Sequence, residues 1–139
     1  MLNEKRLIRA AGMRQLPGGS LGVLLLALLS AGCSQGTVPV SYKETIAPML
    51  TEHCGRCHEN DGIGTQQTGL AMDSYEQLMQ GTRLGPVIHP GNPAGSTLMA
   101  LVEARTDPAI RMPIDGHNPL AEDDLKLLRR WIEEGAKDN

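Results

Sequence analysis

Two cysteines and a histidine stand together in Cys54-Gly55-Arg56-Cys57-His58, and that spacing suits one chemistry. On a single helical turn the two thiols reach the two vinyl groups along one edge of a porphyrin and form thioethers. The next residue, His58, then projects under the ring and offers an imidazole nitrogen to the iron. The pattern is that of covalent haem attachment: one haem c, bonded through Cys54 and Cys57. The second ring nitrogen of His58 needs an acceptor, typically a backbone carbonyl, to fix its tautomer. Two other chemistries use a Cys-x-x-Cys pair. A thioredoxin-like dithiol wants a βαβ setting, and the sequence offers no strands to build one. A structural zinc ion wants four nitrogen or sulfur ligands, usually as two spaced pairs, and the remaining candidates here are scattered singly.

The second axial ligand decides what such an iron does. A methionine sulfur opposite histidine closes the iron and raises its potential, which suits electron transfer. Met49, Met72, Met79 and Met99 fall on apolar helical or near-helical stripes and read as core filling. Met112, in Arg111-Met112-Pro113, stands in a proline-braced loop ahead of the last helix and is the predicted ligand. His89 and His117 are its rivals and would give a bis-histidine iron of lower potential; each lies beside Pro or Gly in a loop and reads as exposed. His53 lies on a helix face and is assigned no ligand role. Arg56, Arg83 and Arg111 each read singly as solvated surface arginines. Any of them could pair with a haem propionate through its guanidinium fork, Arg111 first because it neighbours Met112.

The elements that must position these residues are helical. Ser41-Tyr-Lys-Glu44 is a capping-box pattern. Tyr42, Ile46, Met49, Leu50 and His53 then recur at helical spacing. Pro48 interrupts them, so the regular helix is expected to start there, after a looser turn, and to run into Cys54. The Gly- and Gln-rich stretch from Glu59 to Thr68 reads as a loop. Ser74 caps a short helix that Gly81 ends, and Ser96 caps another carrying Leu98, Leu101 and Val102. Thr106 to Asn118, punctuated by Pro108, Pro113 and Gly116, cannot be one regular element. The last helix has Glu122, Asp123 and Asp124 at its positive end and an apolar stripe of Leu125, Leu128, Trp131 and Ile132. The predicted fold class is all-α: a small helical domain with long loops, wrapped around one haem.

The N-terminus reads as export machinery. Lys5, Arg6, Arg9 and Arg14 precede a short apolar run from Leu21 to Leu29, long enough for a signal-peptide core and too short to span a bilayer. Leu29-Ser-Ala-Gly-Cys33 resembles the lipobox of bacterial lipoproteins, with Ser30 where an aliphatic residue is commonest. The resemblance implies a signal peptide over residues 1–32, lipidation of Cys33, a tether over 33–41 and a folded domain over 42–139. It also implies a place on the periplasmic side of a bacterial membrane, with the outer membrane favoured because Ser34 rather than an aspartate follows the cysteine. Without the first 32 residues, nine basic residues face fifteen acidic ones, a net charge of −6. That balance argues against nucleic acid and favours redox partner proteins with a basic docking patch. With Cys33, Cys54 and Cys57 all assigned, no cysteine is left for a disulfide. No Phe, one Trp and two Tyr make a poor aromatic supply for a core, which a buried porphyrin would supplement.

These residues resemble the cytochrome c family, in particular the planctomycete-type cytochrome c domain, from about Tyr42 to Ala136. The likeness runs through Ile46-Ala-Pro-Met-Leu50, the Cys54-to-His58 motif, Gly69-Leu-Ala-Met72, Pro90-Gly-Asn-Pro93 with Ser96, Arg111-Met-Pro113, Pro119-Leu120 and Trp131-Ile-Glu-Glu-Gly-Ala136. Ala121 departs from it, standing where a Ser or Thr cap is usual. The resemblance implies a small helical fold with first and last helices crossing, and Met112 as distal ligand. The function expected is a lipid-anchored, one-haem electron carrier rather than an enzyme. The alternatives are a haem enzyme or gas or redox sensor with an open or labile sixth site, and a haem subunit of a larger redox complex.

Overall fold

Five α-helices and no strand form the described part of the chain, residues 38–114 and 116–139 of a computed structural model. The chain divides into two units, residues 1–35 and 36–139. The expected leader, its apolar run and Cys33 lie outside the described residues. Among those described, no helix is long and apolar enough to cross a membrane.

Ser41 accepts a hydrogen bond from the Glu44 N–H at 3.2 Å and opens a π-helical turn, Tyr42–Ile46. The turn passes into helix α1, Ala47–His58, with Pro48 in its first turn, where a missing N–H costs nothing. The loose turn expected before Pro48 is therefore this π-helical one. Helix α3, Tyr75–Gln80, is capped by Ser74, which accepts from the Gln77 N–H at 3.3 Å. Helix α5, Glu122–Glu133, starts at Ala121 without a side-chain cap and buries Leu128, Trp131 and Ile132.

Two local expectations need correction. The stretch read as a loop contains helix α2, Ile63–Thr68. Gly62 starts it because a Cβ there would stand 2.6 Å from the Cys57 carbonyl oxygen, and Gly69 ends it at φ +83°. The glycines that suggested a loop are the residues that fold the helix tightly back on α1. Ser96 does precede helix α4, Thr97–Val102, but its hydroxyl does not cap it. It donates to the Asn92 carbonyl at 2.8 Å and accepts from the His89 N–H at 2.9 Å, closing the preceding loop instead.

The first and last helical elements meet through aromatic rings. Tyr42 stacks on Trp131 with centroids 5.6 Å apart and meets Tyr75 edge-on at 5.2 Å. It is thus the π-helical turn that packs on α5. Tyr75 donates its hydroxyl to the Ala136 carbonyl, and the Trp131 Nε1–H donates to Lys137. The C-terminus then clasps the chain entering the turn: Asn139 takes the Lys43 and Tyr42 N–H groups at 3.0 and 2.9 Å, and Glu134 takes the Val40 N–H at 2.7 Å.

Candidate functional site

Helix α1 places His53, Cys54, Cys57 and His58 on one face, since positions i, i+1, i+4 and i+5 lie together on a 3.6-residue period. That face lines a cavity of about 660 Å³. Leu70 and Met72 extend the wall after α2. Val87, Leu98, Leu101 and Val102 come from α4 and the loop before it, and Leu120 from just ahead of α5. Met112, Pro113 and Ile114 enter from the loop ahead of α5. The four residues singled out from the sequence, Cys54, Cys57, His58 and Met112, thus line one space.

His58 is buried, 7 % exposed, and its Nδ1–H donates to the Leu70 carbonyl at 3.0 Å. The acceptor expected from chemistry is therefore a backbone oxygen two residues beyond α2, and it leaves Nε2 with its lone pair. Thr65 donates to the same carbonyl at 3.0 Å and holds it in place. The Met72 N–H bonds the His58 carbonyl at 2.8 Å, tying the Leu70–Met72 segment to the end of α1. This is why Met72, although it lines the cavity, belongs to the His58 wall. Gly64 completes that wall: a Cβ there would stand 2.7 Å from His58 Cε1 and 2.8 Å from Nε2. Only glycine lets α2 lie so close to the imidazole.

The cysteines are half-buried and unbonded to each other. Burial, helped by the neighbouring Cys57 and Glu59, pushes the Cys54 thiol up to about 11. At neutral pH Cys54 is a neutral thiol in an apolar wall.

Met112 is half-buried, and its N–H donates to the Leu101 carbonyl at 3.3 Å, which attaches its loop to α4. Of its two rivals, His117 lines the cavity from the same loop, and His89 is not among the lining residues. The arginines sort differently from the expectation. Arg111 is exposed and outside the lining, because the chain turns at Met112 and carries its neighbour to the solvent side. Arg83 donates to the Gln66 and Gln67 carbonyls at 2.8 and 2.9 Å and braces the end of α2. Arg56, inside the motif, is the arginine that lines the cavity.

The residues present fit a haem. The space falls within the roughly 300–1,000 Å³ of cofactor pockets and is mostly apolar, with a few polar groups on its walls. Its lining offers two thiols, one oriented imidazole nitrogen and a thioether, with a glycine cradle beside the imidazole. Among the described residues no three His, Cys, Asp or Glu side chains cluster as a bare metal ion would need. An iron bound here would bring its own equatorial ligands. Sequence reasoning missed Gly64, α2 and the tie described below through His53. The shared face of His53 with Cys57, four residues on, was the available signal for the last; the Leu70 carbonyl left none.

A family model described as Planctomycete cytochrome C matches residues 54–116, from the first cysteine of the motif through the Met112 loop. No curated protein and no solved structure matches the chain.

Proposed function

From residues 54–116, a cytochrome c family segment that implies covalently bound haem c, we propose that this protein is a one-haem electron carrier with His58 and Met112 as axial ligands. The observation that carries the reading is the joint lining of one apolar cavity by Cys54, Cys57, His58 and Met112. Bound there, the haem supplies one-electron exchange at its iron.

The chain's own residues do the rest. Cys54 and Cys57 would hold the porphyrin as thioethers. His58 would offer Nε2, its ring oriented by the Leu70 carbonyl, and Met112 its sulfur from the loop tied to α4. An iron held by both would leave no position for a substrate. Arg56, on the cavity lining, is the arginine that would pair with a propionate in the role first given to Arg111. The mouth carries exposed apolar side chains, Ile63, Leu84 and Ile114, at 57, 99 and 66 % exposure. Such a rim suits transient docking of a redox partner close to the porphyrin edge. The acidic balance outside the leader selects partners with a basic patch. Lipidation at Cys33 would keep the domain on the periplasmic side of a membrane, the outer membrane by preference, where two or more acyl chains give stable anchoring.

The test is spectroscopic and uses the matured protein with its Met112→Ala variant. The native haem is expected to be low-spin, to show a sulfur-to-iron charge-transfer band and to ignore carbon monoxide when reduced; the variant loses the band and binds the gas. Ready binding of carbon monoxide by the native reduced protein would favour the sensor or enzyme instead. Because His117 lines the same cavity, Met112→Ala is paired with Met112→Ala/His117→Ala, which removes any substitute ligand.

A further inference from the structure

Resting on the His58–Met112 reading above, we propose that His53 is a positioning residue: it latches the loop that carries Met112 onto the helix that carries the haem motif.

The loop has little regular structure to hold Met112. Among the described residues between Thr106 and Asn118 there is one three-residue 3₁₀ turn, Pro108–Ile110, and Ile110 and Ile114 are exposed. Its position must come from where it is fastened. Near the sulfur, the Met112 N–H donates to the Leu101 carbonyl at 3.3 Å. A further tie lies past Gly116. The His53 Nδ1–H donates to the Asn118 carbonyl at 2.7 Å, and the Asn118 side-chain amide donates to the Glu52 carbonyl at 3.3 Å. Asn118 sits at φ +47°, a left-handed conformation that asparagine tolerates better than most residues. Two adjacent residues of α1 thus grip one residue of the loop.

The grip is built for orientation. The His53 side chain is only 10 % exposed, and its Nε2 lies 3.8 Å from an Asp124 carboxylate oxygen on α5. With the ring held between α5 and the loop, Nδ1 must be the donor, because a carbonyl can only accept. This arrangement leaves Nδ1 unavailable to iron, and makes His53 a support for a ligand. It also means one rigid helix carries both the proximal imidazole and the anchor of the distal loop. Loosening the latch would remove one of the ties that hold the Met112 loop, raising the fraction of time the sixth position is open.

The experiment compares matured wild-type protein with His53→Leu, His53→Ala and His53→Gln, the last retaining a side-chain N–H donor. Two quantities are read: the rate of carbon monoxide uptake by the reduced haem, and amide hydrogen exchange in residues 111–120 against residues 125–132 of α5. His53→Leu and His53→Ala are expected to raise uptake about tenfold, what the loss of one well-made hydrogen bond gives. Exchange should accelerate in 111–120 and stay unchanged in 125–132, and His53→Gln should recover most of the wild-type behaviour. Uptake within about twofold of wild type in both the Leu and Ala variants, the criterion set by the usual scatter in single-bond effects, overturns the latch. So does an acceleration shared equally by loop and α5, which would mark a general structural role. If wild-type protein itself takes up carbon monoxide as fast as Met112→Ala, the ligation reading falls and the latch with it, an outcome distinct from a closed wild type that His53 does not affect.

Discussion

The aromatic junction and the cavity wall divide the molecule's resources unequally. All three aromatic side chains of the sequence, Tyr42, Tyr75 and Trp131, gather where the π-helical turn, α3 and α5 meet. The cavity, lined from nearly every other element, has no aromatic residue in its wall. The junction is complete in itself: Trp131 is 1 % exposed, its N–H is bonded, and Asn139 and Glu134 close the chain around it. On the proposed reading, the cavity is where the haem packs. A chain with three such residues places them all at the junction of the π-helical turn, α3 and α5, and none on the cavity wall.

The most severe way to break that division is to prevent attachment. Cys54→Ser/Cys57→Ser is expected to lose most helical circular dichroism at 25 °C, because the cavity walls then have nothing to pack on. Retention of the full holoprotein helix signal would show that the walls stand alone. Next in size is Trp131→Ala, expected to cost about 3–5 kcal/mol in denaturant unfolding of the holoprotein. Its haem spectrum should stay native, since Trp131 is outside the cavity wall. Gly64→Ala should show the opposite pattern: a smaller loss, about 1–3 kcal/mol of overpacking, with a perturbed axial-ligand spectrum, because the added methyl group lands on His58.

The smallest effect sharpens the junction side. The Val40 N–H, then Arg130, holds the Glu134 carboxyl below the usual glutamate range. A depressed folded-state value contributes stability that is present above the unfolded value and lost as pH falls through the folded one. The unfolding midpoints of wild type and Glu134→Gln should therefore differ at pH 6 and converge in acid, below the usual glutamate range. A gap that persists unchanged in acid would contradict the role of the charge.

What could be read without coordinates was whatever chemistry writes into residue type and spacing. The haem motif, the apolar stripe of α5, the turn before Pro48 and the candidacy of Met112 all have such signatures. Helix α2 did not, because its Gly62 and Gly64 serve close approach to Cys57 and His58 and look, as letters, like loop residues. Arg111 was favoured on sequence adjacency to Met112, and adjacency in an irregular loop says little about direction. Ser96 has the residue type and place of a cap, yet its hydroxyl is spent on Asn92 and His89. The Leu70 carbonyl that orients His58 is a backbone atom and has no letter at all. The expected leader and the lipobox-like pattern ending at Cys33 lie outside the described residues.

The central claim is that the iron stays closed by His58 and Met112 while one electron comes and goes. Variable-temperature magnetic circular dichroism of the matured wild-type protein, in both oxidation states, tests it most directly. The expected result is a low-spin haem in each state with a methionine-to-iron signature in the oxidised form. A high-spin component in either state would mean an open or exchanging sixth position, and the electron-carrier account would give way to a haem that binds something.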